Sequence, residues 1–217
     1  MLAKPLSNRQ IEAASKFWED GGWETKEFAQ LQRCFPKSED AVKLKAVVVN
    51  ALYGTNVIAI SKAAECLERT LNANHSTGPD LVEELVAELK KVTKRERYSF
   101  IAKFAHFFIN RDLPILDKYA EDMVAKHLGS ARSSNPKRHL KFAENIEKLK
   151  ELAGLTCDCG QLDAYLWVAG EYWSWKKNPK LQISAYLKGH FQRLEEGPEN
   201  ERTLRDLLGI DVNSASA

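Results

Sequence analysis

Apolar residues recur three and four positions apart along almost the whole chain, and Gly, Pro or short Ser/Thr/Asp clusters interrupt them at short intervals. This is the pattern of amphipathic helices joined by tight turns, and it predicts an all-α protein of about eleven helices. A first pair is expected over 8–19, capped by Ser7, and over 26–34, capped by Thr25 and stopped by Pro36. A third follows Ser38, carries Val42, Leu44, Val47, Val48 and Leu52, and ends at Gly54, where left-handed backbone costs little. Asn56 or a neighbour opens a fourth with Ile60, Ala64, Leu67 and Leu71, and Asp80 opens a fifth with Leu81, Leu85 and Leu89.

Two further helices, over 97–110 and 118–128, flank the break Arg111-Asp112-Leu113-Pro114. Pro114 drives the residue before it out of helical geometry, and Asp117 stands where a helix cap belongs. After Gly129 the polar stretch 130–136 reads as a loop, followed by helices over 137–152, 161–175, 183–195 and 202–208 and an irregular tail, 213–217. Helices with one apolar face must bury it against each other, so the expectation is a bundle, and the polar loop after Gly129 marks a boundary between two lobes. Residues 1–36 and 130–217 form one discontinuous lobe in this reading and 37–129 the other. No internal repeat is present.

Composition narrows the picture without naming a function. The 217 residues are 44% hydrophobic and 29% charged, which is ordinary globular usage and excludes disorder and coiled coil. No apolar run approaches the roughly 20 residues of a membrane span, and residues 1–5 carry no signal-like stretch, so a cytoplasmic protein is expected. Cys34, Cys66, Cys157 and Cys159 read as reduced thiols. Cys157 and Cys159, spaced C-x-C around Asp158, supply half of a metal site whose other half is missing, so neither metal nor cofactor is expected. The net charge is +2, but positions 90–141 hold 13 Lys or Arg against 5 Asp or Glu, a balance of +8 that leaves −6 elsewhere. A basic segment of this kind either follows a phosphate backbone or simply solvates helix faces.

Candidate chemistry centres on Leu113-Pro114-Ile115-Leu116-Asp117, which delivers one carboxylate to the start of a helix. Read from periodicity alone, Asp117 is a cap. The same Pro-Ile-Leu-Asp, with its helix ending at Leu128-Gly129, resembles the catalytic-aspartate segment of the helix-hairpin-helix DNA glycosylases, which include adenine glycosylase and endonuclease III. Upstream, Leu52-Tyr53-Gly54-Thr55-Asn56-Val57 resembles the helix junction at which those enzymes carry small and amide residues beside the extruded base. The intervening helices stand where the family places its hairpin and the helix leading to the aspartate. The resemblance spans about 38–129 and departs from the family at two points. The family's Leu-Pro-Gly-Val-Gly-like hairpin is replaced by Thr93-Lys94-Arg95-Glu96-Arg97-Tyr98-Ser99, which has no glycine. A grip on the DNA backbone then falls to Lys94, Arg95 and Arg97, or to the helix N-terminus near Ser99. The lysine of the family's strand-cleaving members aligns with Ser99, and Lys103, one turn further on, reads as a snorkelling surface residue near the DNA backbone. The iron–sulfur cysteines of endonuclease III are also missing.

The resemblance implies a monofunctional DNA glycosylase that flips a damaged or modified base out of the duplex and hydrolyses its N-glycosidic bond. Asp117 would stabilise the positive charge that develops on the sugar. Tyr53 becomes a candidate wedge, and Asn56, Tyr98, His106 and Phe107 become candidates for the base pocket. Tyr53 reads equally as a core aromatic, Asn56 also as a cap and His106 as a packed histidine, while Tyr98, Phe107 and the tail aromatics Tyr165, Trp167, Trp173 and Trp175 around Asp163 read more often as core than as pocket. The implied partner is double-stranded DNA, bound by a monomer. The role is base excision repair or, given the divergent hairpin, defence against phage with modified DNA. Two other readings of the same residues are a non-catalytic DNA-binding protein on this scaffold and a helical protein-interaction module.

Overall fold

Helical periodicity is realised wherever the chain is described. The computed structural model describes residues 2–21, 39–73, 77–131, 137–197 and 200–210, and every regular element among them is a helix. In chain order these are α1 (Asn8–Asp20), α2 (Glu39–Leu52), α3 (Ile60–Ala73), α4 (Pro79–Thr93), α5 (Tyr98–Phe108), α6 (Lys118–Leu128), α7 (Arg138–Ala153), α8 (Cys159–Lys177), α9 (Ala185–Glu196) and α10 (Arg202–Leu208). The helix expected over 26–34, with Cys34, lies outside the described residues, as do the tail 213–217 and most of the 130–136 loop. Among the described residues no helix is long and apolar enough to cross a membrane.

Local sequence explains the helix ends. Pro79 begins α4, where its missing N–H would have had no partner, with Asp80 in the first turn and Lys90 and Lys91 in the last, each matched to the helix dipole. The start of α8 is a reciprocal cap. The Asp158 carboxylate accepts from the Gln161 N–H at 2.8 Å, and the Gln161 side chain accepts from the Asp158 N–H at 3.1 Å. The C-x-C pair therefore brackets a capping box, and Cys157 and Cys159 are buried free thiols.

The chain divides into two compact units, one of residues 1–23, 119–132 and 147–217, the other of 24–118 and 133–146. Among the described residues the division differs from the expected one at two places. The chain leaves the second unit directly after Lys118, not at Gly129, and 133–146 belongs to that second unit. Contacts within the first unit explain why α6 goes with it. The Ala3 N–H donates to the His127 carbonyl at 2.8 Å, and the His127 ring bonds the Lys4 carbonyl at 2.9 Å and the Tyr165 hydroxyl at 3.0 Å. Burial pushes the His127 imidazole pKa down, which keeps the ring neutral between these partners. Helix α8 passes α6 at Gly170, where a Cβ would stand 2.7 Å from the Tyr119 Cβ and 2.9 Å from its carbonyl oxygen.

In this first unit α1 packs on α8 and α10, and Tyr172, Trp175 and Phe191 form an aromatic core cluster. In the second unit α2, α3, α4 and α5 pack in sequence order, with α5 also against α2. Helix α5 is apolar on nearly every side and buried on nearly every side, from Tyr98 to Phe107. A helix of that kind is a core element, and here it fixes the register of whatever leaves its two ends.

The Gly170 crossing makes a direct prediction. Gly170→Ala should lower stability by about 1–3 kcal/mol, because the added methyl has to push α8 and Tyr119 apart. Urea melts of the two proteins measure the difference, and an unchanged midpoint would show that the crossing can open at no cost.

Candidate active site

The site is built in the second unit from the two ends of α5. Beyond its C-terminus, residues 113–116 run without regular structure yet are buried, which would strand their carbonyls without partners. Two buried histidines answer this. His106 of α5 donates from Nδ1 to the Leu113 carbonyl at 2.8 Å, and His139 of α7 donates from Nε2 to the Pro114 carbonyl at 2.9 Å. Burial pushes the His139 pKa down against the pull of that bond, so the ring stays neutral. Glu83 of α4 fastens the same corner. One carboxylate oxygen accepts from the His139 and Leu140 N–H groups at 2.6 and 3.1 Å, and the other accepts from the Tyr98 hydroxyl at 2.8 Å. Burial, and then the Glu83 carboxylate, raise the Tyr98 pKa and keep the phenol protonated.

This scaffold delivers Asp117. Its Oδ2 accepts from the Lys103 ammonium at 2.9 Å, and the two side chains are only 12% and 7% exposed. Lys103 is thus buried, and not the snorkelling surface residue that its position suggested. The reason is geometric. Side chains on a helix lean toward its N-terminus, so the amine of Lys103 reaches back one turn and bonds Ser99 Oγ at 3.2 Å. It lies 5.2 Å from the centre of the Tyr53 ring. Tyr53 in turn stacks on Phe107, with ring centres 5.5 Å apart and planes at 20°.

The junction before Tyr53 and after it is shaped by an amide that sequence reading passed over. Asn50 Oδ1 accepts from the Thr55 hydroxyl and the Val57 N–H, both at 2.8 Å. Gly54 and Asn56 both adopt left-handed backbone, at φ +54°. Asn56 is exposed and its part here is the turn; it is not among the residues lining the cavity described next.

A cavity of about 460 Å³ opens at the N-termini of α5 and α6. Tyr53, Gly54 and Thr55 line it from the junction, Glu96, Arg97, Tyr98, Ser99 and Phe100 from the start of α5, Leu116, Asp117 and Lys118 from the start of α6, and Arg138 from α7. The size is within the roughly 300–1,000 Å³ of small-ligand pockets. The N-terminus of α5 and three cationic side chains give it a positive bias against two carboxylates, Asp117 paired with Lys103 and Glu96 paired with Lys90. Arg97 buries its Nε without a hydrogen-bond partner among the described residues.

Of the residues singled out in the sequence, Tyr53, Tyr98, Arg97, Ser99 and Asp117 come together on this cavity. His106 is placed behind it, on the Leu113 carbonyl. Lys94 and Arg95 form the turn between α4 and α5. Lys94 takes the left-handed conformation, at φ +60°, that a glycine would usually supply, and its ammonium donates to the Lys91 carbonyl at 3.0 Å. The aromatic residues Tyr165, Trp167, Trp173 and Trp175 belong to the other unit, where Tyr165 is fully buried against His127. Glu83, Lys118, Arg138 and His139 were not anticipated. Compared with family models, curated proteins and solved structures, the chain matches none.

The buried pair predicts an asymmetry. Lys103→Met removes the buried cation beside Asp117 and should cost about 3–5 kcal/mol, whereas replacing both partners, Lys103→Met with Asp117→Leu, should recover most of that loss. Denaturant melts of the single and double variants test it. A single variant that costs less than the double would refute a desolvated pair.

Proposed function

We propose that the chain is a monofunctional DNA glycosylase, acting on a base extruded from a duplex and leaving an abasic site. The observation that carries this reading is a carboxylate, Asp117, immobilised by a buried lysine at the wall of a polar, positively biased cavity large enough for a nucleotide. Cleaving an N-glycosidic bond builds positive charge on the sugar, and a fixed carboxylate lowers the energy of that charge without having to reorganise. Asp117 takes that role. Extrusion costs about a few kcal/mol of stacking and pairing. Tyr53, backed by Phe107, is the rigid ring that supports the vacated or extruded position, and Tyr98, its hydroxyl engaged by Glu83, contributes an aromatic wall. Arg97 and the first-turn N–H groups of α5 are the donors for a flanking phosphate, in place of a glycine hairpin.

The monofunctional form follows from the ion pair. A lysine held as an ammonium against Asp117 is not a free amine for a Schiff base. The position of that amine, reaching back to Ser99, favours one second reading, in which substrate binding breaks the pair and Lys103 attacks the sugar. The substrate class spans damaged bases and the modified bases of phage DNA.

The test uses duplexes carrying a panel of damaged and modified bases, scored for abasic sites with and without alkali. Base release that needs alkali for strand breakage, and that falls by about 100-fold or more in Asp117→Asn with DNA affinity unchanged, is the expected result. Breaks without alkali, trapped by borohydride and lost in Lys103→Gln, would replace it with the second reading. No release from any duplex, with binding intact, would leave a non-catalytic DNA-binding protein.

A further inference from the structure

Away from the cavity, in the first unit, two lysines converge on one indole. The Lys126 ammonium lies 4.0 Å and the Lys4 ammonium 4.5 Å from the centre of the Trp173 ring. Like charges avoid such a position unless something holds them there, and the structure shows what does. The chain at Lys4 is pinned to the end of α6 by the Ala3 and Lys4 N–H groups, which donate to the His127 carbonyl at 2.8 and 3.4 Å. The His127 ring, fully buried, holds the Lys4 carbonyl from the other side. Gly129 makes room: a Cβ there would come within 2.9 Å of the Ala3 Cβ, and its backbone sits at φ +64°.

The charges are not balanced locally. Among the described residues no carboxylate pairs with either ammonium, and each finds only the other lysine and the ring. Burial, with the neighbouring cation, pushes the Lys4 pKa down, and burial does the same for Lys126. His127, neutral, adds no charge. The C-terminus of α6 contributes roughly half a negative charge, which leaves about one and a half positive charges unmatched. A half-buried indole beneath them removes water from one side and strengthens any electrostatic contact made there.

We propose that Lys4, Lys126 and Trp173 form a binding site for a phosphate group. Two ammonium groups offer six N–H donors and no acceptor, which suits a tetrahedral group with several anionic oxygens better than a single carboxylate. The site is independent of the Asp117 cavity and of the glycosylase reading. Its phosphate comes either from a nucleic-acid backbone or from a free phosphate, and both sources present the same oxygens.

Titration of the whole protein with inorganic phosphate, at ionic strength held constant with chloride, tests the site through the Trp173 indole resonance. The expected result is a saturable shift whose affinity falls at least 10-fold in Lys4→Gln and in Lys126→Gln, while Lys188→Gln, at an exposed lysine of α9 outside the site, behaves as native. Both substituted side chains are partly or fully exposed, so the variants should fold; a phosphate-dependent rise in Tm, present in the native protein and absent in both, gives a second readout. A short unmodified duplex separates the sources. Weaker duplex binding in both variants, with a salt slope reduced by about one, assigns a backbone phosphate; duplex binding unchanged while inorganic phosphate is lost assigns a free one. The absence of a saturable shift with phosphate and with duplex, or a shift that survives in both variants, would overturn the proposal.

Discussion

A single desolvated contact, the 2.9 Å ion pair between Lys103 and Asp117, organises the second unit's cavity. Buried pairs seldom add much stability, since both charges must leave water and their attraction does little more than offset that loss. What such a pair does supply is position. Lys103 sits on the most buried helix of the unit, so its amine has few places to go, and it holds Asp117 in one orientation at the cavity wall. Ser99 and Tyr53 fix the amine from two other sides.

The carboxylate's approach is constrained as tightly as its end point. An irregular segment can be buried only if its polar backbone is satisfied, and His106 and His139 supply one bond each to successive carbonyls. Glu83 then joins three helices, since it binds the first-turn N–H groups of α7 and the hydroxyl of Tyr98 from its own place on α4. The path from sequence to candidate chemistry thus runs through ordinary requirements: bury α5, satisfy the carbonyls that follow it, and the aspartate arrives beside a lysine.

Much of this was legible in the chain. The 3.6-residue period marked the helices, and Asp80, Pro114, Gly54 and Gly129 marked their ends, because these signals are local. The break that sets Asp117 at the start of a helix was legible from a short motif. Lys103 was misread, although the clue was present: it lies four residues after Ser99, on the same helical face, inside a run of Phe, Ile and Ala that leaves no solvent side on which a lysine can snorkel. Arg138, His139 and Glu83 carry no such local mark. Their roles depend on contacts made across 15 to 57 positions of sequence, which periodicity does not encode. The lobe boundary was misplaced for a related reason, since the hydrogen bonds that draw α6 into the first unit come from residues 3, 4 and 165.

The proposed role of Asp117 is to stabilise positive charge on a sugar, and this can be measured without knowing which base would be removed. A duplex in which one sugar is replaced by a pyrrolidine carries a cation at the reacting position, while a duplex with a neutral tetrahydrofuran there has the same shape and no charge. The Kd ratio of the two, measured at moderate salt for the native protein and for Asp117→Asn, is the decisive number. A preference of about 10-fold or more for the cationic duplex, abolished by the substitution, is the result predicted, in keeping with a fixed carboxylate facing a developing charge. Equal affinity for both duplexes, or a preference that Asp117→Asn leaves intact, would contradict it.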